Sequence, residues 1–98
     1  MELKIKWTRT AASSLDKIVE FIEEKWGIRS AQVFIKKLNR LLQLLIKQPE
    51  IGKLEIKEKG IRAFVFSRQN TVFYRIREDK LILLKFFDNR QDPKKKPK

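Results

Sequence analysis

The apolar and polar residues at the start of the chain follow two different periods, which predict a strand and then a helix. Residues 2–7 alternate between apolar and charged, the pattern of a half-buried strand whose Leu3, Ile5 and Trp7 face inward. After Thr8, a good N-cap, apolar residues recur every three or four positions and predict a helix over residues 9–26, ended by Gly27. Its apolar stripe consists of Ala12, Leu15, Ile18, Val19, Ile22 and Trp26.

A second helical stripe follows almost at once and predicts a helix over residues 30–47, closed by Pro49. Since the connection is only a few residues long, the two helices are expected to form an antiparallel hairpin. The stripe is typical of a core, while Phe21 and Leu44 fall outside the two stripes and are candidates for contact with a partner. The stripe consists of Ala31, Phe34, Ile35, Leu38, Leu41, Leu42 and Leu45.

The C-terminal half predicts strands joined by short turns. Apolar runs over residues 61–67, 71–77 and 80–87 are separated by polar turns, and short turns make consecutive strands antiparallel neighbours. Leu54 and Ile56 are expected to pair briefly at a sheet edge. The uninterrupted run over residues 81–84 is typical of a strand covered on both faces, near the middle of the sheet.

The order of elements predicts an α+β fold. It consists of an N-terminal strand, an antiparallel helical hairpin and a three-stranded antiparallel meander, with the hairpin packed on one face of a single twisted sheet. Residues 1–93 are expected to form one domain and residues 94–98 a basic Lys/Pro tail.

The amino-acid composition argues against several kinds of site. The chain has no cysteine and no histidine, so we expect no metal site, and no pattern indicates a cofactor. It has neither an apolar run of membrane-spanning length nor the apolar core of a signal peptide, which predicts a cytoplasmic protein without a membrane partner.

The formal net charge of +12 on 98 residues indicates an anionic partner. The last ten residues contribute +4, so the folded body must itself carry positive charge. A nucleic acid, an anionic membrane surface and an acidic protein are all compatible with this charge.

Strand alternation sorts the candidate contact residues. Val72, Tyr74 and Ile76 match the apolar stripes and should face the helices, which makes Tyr74 a core residue rather than a catalytic acid. The opposite side carries aromatic and basic residues together, a combination suited to phosphates and bases, although an ordinary solvated face remains the alternative. The expected target or nucleic-acid contacts are Arg62, Phe73, Arg75, Arg77, Lys85, Phe87 and Arg90, with Lys4 and Lys6 beside them.

The sequence does not contain a complete set of catalytic residues, and whether the chain is an enzyme stays open. Metal-free RNA cleavage needs a base, an acid and positive charge, and arginine supplies only the charge well. Arg62, Lys85 and Arg90 are candidate catalytic residues, but nothing in the sequence selects a base among them. Arg90 has a structural alternative, an ion pair with Asp88 or Asp92.

Four segments in order resemble the RelE/ParE family, the toxins of type II toxin–antitoxin systems. They are the Trp-Thr start of the first helix with its Leu-Asp-Lys-Ile, the second helix ending in Gln-Pro-Glu-Ile-Gly, Ile-Arg with Val-Phe-Tyr-Arg-Ile, and Phe-Phe-Asp-Asn-Arg-Gln-Asp-Pro. The resemblance covers nearly the whole chain and implies a cognate antitoxin whose tail wraps the toxin in a hetero-oligomer.

The resemblance implies two alternative targets. One branch of the family cleaves mRNA on the ribosome with basic residues on the sheet, and another poisons DNA gyrase. Arg62 and Arg90 match basic positions of the family, whereas Thr71 stands where the RNA-cutting branch tends to carry arginine, and the C-terminal catalytic tyrosine or histidine of some nucleases is missing. The long hairpin and the Arg-Gln-Asp-Pro ending favour gyrase, and a non-toxic basic nucleic-acid-binding module is a third hypothesis.

Overall fold

A computed structural model describes residues 2–89, which fold as two helices on a five-stranded sheet. The expectations for Arg90 and for the tail over residues 94–98 lie outside the described residues, and the division into a domain and a tail stays a prediction. The elements in chain order are β1 (Lys4–Trp7), α1 (Arg9–Trp26), α2 (Ile28–Lys47), a 3-10 turn (Pro49–Ile51), β2 (Lys53–Ile56), a second 3-10 turn (Lys57–Lys59), β3 (Ile61–Val65), β4 (Asn70–Arg77) and β5 (Lys80–Asp88).

Helix α1 has the bounds that its pattern predicts. The hydroxyl of Thr8 accepts a hydrogen bond from the Ala11 amide at 3.1 Å, which satisfies one of the free N–H groups of the first turn. The same hydroxyl donates to the carbonyl of Leu83 at 2.8 Å, and so fixes the start of the helix to the sheet.

Gly27 alone separates the helices, which makes the hairpin tighter than predicted. Its φ of 92° lies in the region that favours glycine, and its N–H donates to the Glu23 carbonyl at 2.8 Å. Helix α2 resumes immediately and therefore begins two residues earlier than its apolar pattern indicates.

The sheet has the strand order β1-β5-β4-β3-β2, with β1 parallel to β5 and every other pair antiparallel. The predicted meander, the added N-terminal strand and the short edge pairing of Leu54 are all confirmed. Strand β5 is interior as expected, but β4 occupies the middle of the sheet. Strand β3 ends at Val65, two residues before its predicted end.

Both helices and the sheet enclose the main core between them. Its least exposed side chains include those of Leu45, Tyr74 and Leu83, each with 0% relative exposure. The predicted stripe of α2 is confirmed, and so is the middle of the α1 stripe from Leu15 to Ile22, whereas its two ends differ. Ala11 is buried and Ala12 exposed, and Trp26 is 57% exposed because it ends the helix beside Phe21 rather than over the sheet.

A β-bulge in β5 changes which face its side chains occupy. Phe73 pairs with Lys85 and Tyr74 with Leu83, so Leu84 has no residue opposite it. Before the bulge Leu81 and Leu83 enter the main core, and after it Phe86 does. The bulge therefore sends Lys85 and Phe87 to the surface of the sheet that points away from the helices, here called the far face, where Leu84 already lies by regular alternation.

Candidate functional site

Basic side chains gather on the far face of the sheet. The register aligns Lys4 with Lys80 and Arg77 with Lys80, so cations from β1, β4 and β5 lie next to one another. Lys80 was not among the predicted contact residues. The sequence does contain a signal for it, because a two-residue turn places Lys80 opposite Arg77. The far-face cations are Lys4, Lys6, Arg75, Arg77, Lys80 and Lys85.

The acids near this face lie in the turn between β4 and β5. Asp79 is within 3.9 Å of the Lys4 ammonium and 3.6 Å of that of Lys80, and all three side chains are substantially exposed. Such surface pairs are weak and leave most of the positive potential in place. Lys6 and Arg77 border a shallow cleft of about 280 Å³ beside this turn.

Two predicted contact residues on the far face are buried. Phe73 is 3% exposed and Phe87 is 1% exposed, and together with Ile61 they form a second apolar cluster. Their rings meet edge to face at 6.3 Å, and the Lys85 ammonium lies 5.8 Å from the Phe87 ring centre. Burial to this degree does not support the expectation that these rings stack on bases.

Arg75 lies between the apolar cluster and the basic rim. It pairs with Ile61 on one side and Ile82 on the other. Its Nε atom is buried and has no hydrogen-bond partner among residues 2–89. A buried donor of this kind is unfavourable unless a ligand or water completes it, which keeps Arg75 a candidate contact residue.

Arg62 lies on the opposite face from the other candidates. It pairs directly with Tyr74, and residues opposite each other in a sheet share a face, so Arg62 points to the helix side. Its guanidinium donates to the carbonyls of Gly52 at 2.8 Å and Glu50 at 3.2 Å. The structure therefore does not bring Arg62 together with Lys85, and it gives Arg62 a local role in holding the turn after α2.

Tyr74 is a core residue, as predicted. Its hydroxyl donates to the Pro49 carbonyl at 2.6 Å and accepts from the Gly52 amide at 3.0 Å. Burial raises the pKa of Tyr74, while the Gly52 hydrogen bond and the charge of Arg62 oppose that rise. The phenol is thus neutral, enclosed and fully hydrogen-bonded, which does not suit a catalytic acid.

Thr71 on β4 is 6% exposed. Its hydroxyl donates to the side-chain oxygen of Asn89 at 2.8 Å, and Asn89 also donates to the carbonyls of Gln69 and Arg68 in the turn before β4. Thr71 and Asn89 thus fasten the end of β5 to that turn.

Neither a metal site nor a membrane-spanning helix is found in the described part of the chain. Residues 2–89 contain no group of three or more Asp, Glu, His or Cys side chains that could hold a metal ion. No helix within these residues is long and apolar enough to cross a membrane.

Solved structures with the same fold include the following three. The chain matches the chromosomal ParDE toxin–antitoxin system from P. aeruginosa with a TM-score of 0.75 and 20% identity, covering 89% of this chain and 96% of that one. It matches a copper-bound mutant toxin from Helicobacter pylori with a TM-score of 0.63 and 18% identity, over 88% and 93% of the two chains. A YoeB/ParE toxin from Agrobacterium tumefaciens gives 0.60 and 18%, over 88% and 98%.

The sequence itself matches a family model. No curated protein matches the chain significantly. The model described as the ParE toxin of type II toxin–antitoxin systems, parDE, matches residues 5–93, which is nearly the whole chain. The chain therefore belongs to the ParE toxin family of type II toxin–antitoxin systems.

Proposed function

We propose that this toxin stops growth by acting on DNA gyrase and that a cognate antitoxin neutralises it in a hetero-oligomer. Family membership over residues 5–93 supports the toxin role. A gyrase target also implies a cytoplasmic site of action.

The observation that carries the choice of target is the environment of Thr71. An arginine at this position, as in the RNA-cutting branch, would offer a cation to phosphate. Thr71 instead is buried, and its hydroxyl is engaged by Asn89. This position therefore supplies neither charge nor a free hydroxyl to an RNA substrate.

Proton transfer is the second difficulty for RNA cleavage. The reaction needs a base for the 2′-hydroxyl and an acid for the leaving oxygen. Tyr74 is enclosed in the core with its hydroxyl hydrogen-bonded on both sides, so it supplies neither group. The far-face cations can bind phosphate but do not by themselves complete such a mechanism.

Ribosome-dependent mRNA cleavage is the second candidate, and the far face favours it. Cations from three strands lie side by side there, and Lys6 and Arg77 border an open cleft. Under this alternative Lys85 and Arg90 remain candidate catalytic residues, with phosphate neutralisation as their role, whereas Arg62 lies on the other face and would not join them there.

The proposed antitoxin contact is the outer surface of the helical hairpin. A groove of about 570 Å³ runs between α1 and α2, and Ile28 at its border is 62% exposed. An exposed apolar groove on a chain of net charge +12 fits a segment with apolar anchors and surrounding acids. The groove is lined by Val19, Glu23, Ile28, Ala31, Gln32, Ile35 and Lys36.

Induction in growing cells tests the target. We expect growth arrest, double-strand DNA breaks and an SOS response while mRNA stays intact, and rescue by the small open reading frame beside the toxin. Cleavage of translated mRNA within codons would establish the nuclease instead. Salt-dependent nucleic-acid binding without growth arrest or damage would indicate a non-toxic binding module.

Two charge-matched double variants test whether growth arrest requires the far-face cations. Arg75→Gln with Arg77→Gln removes two far-face cations. Lys37→Gln with Arg40→Gln removes two exposed cations of α2 that border neither the groove nor the sheet. We expect the first pair to relieve growth arrest and the second to leave it unchanged. Equal relief by both would show that net charge rather than the far face matters.

A further inference from the structure

A cleft of about 440 Å³ lies between the start of α1 and the end of β5. It exists because β1 ends at Trp7, which pairs with Leu83, so the last residues of β5 have no strand beside them there. Helix α1 covers this edge only in part. The amide of Phe86 donates to the Ser14 hydroxyl at 2.9 Å, which fixes the helix and the strand on either side of the cleft.

The lining of the cleft is basic and rich in hydroxyl groups. It includes no carboxylate, and the ion pairs found among residues 2–89 involve neither Arg9 nor Lys17. The polar and aromatic lining residues include Arg9, Thr10, Ser13, Lys17, Lys85 and Phe86.

Arg9 does not stabilise the helix in which it lies. It occupies the first position of α1, where the partial positive charge of the helix end disfavours a cation. The first turn of α1 contains no acid that would offset this cost. A charge that opposes local helix stability is better explained by an anionic ligand.

The cations are spaced for more than one phosphate. Arg9 and Lys17 are eight residues apart on one helix, which separates them by about 12 Å along its axis. Thr10 and Ser13 lie between them and offer hydroxyl donors. This length suits consecutive phosphates of a strand rather than a single phosphate ion.

An accessible aromatic ring flanks the cleft. Trp7 is 40% exposed and stacks on Phe86, with ring centres 5.7 Å apart and planes at 27°. Phe86 in turn lines the cleft. Cations that track a backbone beside an exposed aromatic ring are the combination with which proteins hold single-stranded nucleic acid.

We propose that this cleft binds a short single-stranded segment of DNA or RNA. Arg9 and Lys17 contact successive phosphates, the hydroxyls of Thr10 and Ser13 donate to phosphate oxygens, and a base stacks on Trp7. The site lies between α1 and β5 and shares Lys85 with the far face, and it does not depend on whether gyrase is the target.

Fluorescence of Trp7 provides the test. In a full-length chain carrying Trp26→Phe, Trp7 is the only tryptophan. We expect oligo(dT) or oligo(U) to quench it saturably, and inorganic phosphate at equal phosphate concentration not to do so. The nucleic acid that binds more tightly identifies the source of the phosphates. Absence of saturable quenching by both oligonucleotides, or equal quenching by inorganic phosphate, overturns the proposal.

Variants at two neighbouring positions test whether the nucleic acid binds in the cleft. Ser13→Asp puts a carboxylate into the cleft, and Ala12→Asp puts the same charge on the exposed adjacent residue outside it. Both add an acid near the start of a helix, where acids are tolerated, so both should fold. We expect Ser13→Asp to weaken binding at least about tenfold and Ala12→Asp to change it less than about threefold, since direct charge contacts are the stronger ones. Equal weakening overturns the proposal.

The salt dependence of binding counts the contacts. Arg9→Gln with Lys17→Gln removes two proposed phosphate contacts, which should lower the slope of log K against log salt by about 1.4 for a single strand. Lys37→Gln with Arg40→Gln removes the same charge from α2 and should leave the slope unchanged. An unchanged slope in the first pair, or an equal change in both, contradicts the assigned contacts. Since binding is measured on the isolated chain, this outcome is independent of DNA breaks in cells.

Discussion

The hydroxyl of Tyr74 accepts a hydrogen bond from the amide of Gly52 at 3.0 Å, across 22 residues of sequence. The same hydroxyl donates to the Pro49 carbonyl, and Arg62 reaches the Gly52 carbonyl from the neighbouring strand. The Pro-Glu-Ile-Gly segment that supports the family resemblance is therefore an anchor between the end of α2 and the middle of the sheet. Its role in this structure is to join the two layers.

Removing the hydroxyl alone should weaken that anchor. Tyr74→Phe keeps the ring in the core but leaves the Gly52 amide and the Pro49 carbonyl without their partner. We expect the free energy of unfolding to fall by about 1–3 kcal/mol. Urea unfolding followed by circular dichroism measures the change. An unaltered midpoint would mean that water replaces the phenol at no net cost.

Gly52→Ala tests the close approach of the two residues. A Cβ at this position would overlap the Tyr74 hydroxyl and lie 2.8 Å from its Cε1 atom. We expect a loss of about 2–4 kcal/mol, since a buried overlap forces the ring or the turn to move.

A double-mutant cycle with Tyr74→Phe assigns the cause of that loss. Removing the hydroxyl relieves part of the overlap, so the two substitutions together should cost less than the sum of their separate effects. Strict additivity would place the strain elsewhere in the turn.

The raised pKa of Tyr74 gives a defined alkaline dependence. An unfolded tyrosine ionises near its ordinary value of 10.0, whereas the folded chain retains the proton to higher pH. The stabilisation linked to Tyr74 is therefore complete below pH 10.0 and is lost as the pH rises towards the folded value. The difference in unfolding free energy between the unsubstituted chain and Tyr74→Phe should be constant in neutral solution and shrink above pH 10.0. A difference that grows with pH would contradict a raised pKa.

Arg62 and Arg77 should respond differently to the same substitution. Arg62→Gln removes donors from two backbone carbonyls, and we expect a loss of about 1–2 kcal/mol in unfolding free energy. Arg77→Gln, on the exposed far face, should change stability by less than about 0.5 kcal/mol. Urea unfolding and growth arrest are measured on both variants. Full toxicity of Arg77→Gln would argue against a target contact at that residue.

Thr8 should matter through both roles of its hydroxyl. Thr8→Ala removes the cap on the Ala11 amide and the bond to Leu83, for a loss of about 1–2 kcal/mol. Thr8→Ser retains the hydroxyl and is the matched control, expected to unfold close to the unsubstituted chain. Equal losses in the two variants would assign the effect to the methyl group instead.

Local patterns in the sequence were sufficient to predict the helices and strands. Helix α1 spans residues 9–26 as its period predicts, and the strands of the meander begin within one residue of their predicted positions. Capping by Thr8 and the core position of Tyr74 follow from the same kind of local argument. These features could be predicted because each depends on a few neighbouring residues whose spacing is set by helix or strand geometry.

The tertiary structure decided which side chains share a face and which are accessible. Register between strands places Arg62 beside Tyr74, and the bulge at Leu84 moves Phe87 to the far face. Packing then buries Phe73 and Phe87, which alternation alone left open to solvent. A slip of one residue reverses every side chain of a strand, and pairing across a sheet is set by contacts distant in sequence. The basic surface was thus visible in the composition, but its members and the cleft beside α1 emerge only from the folded chain.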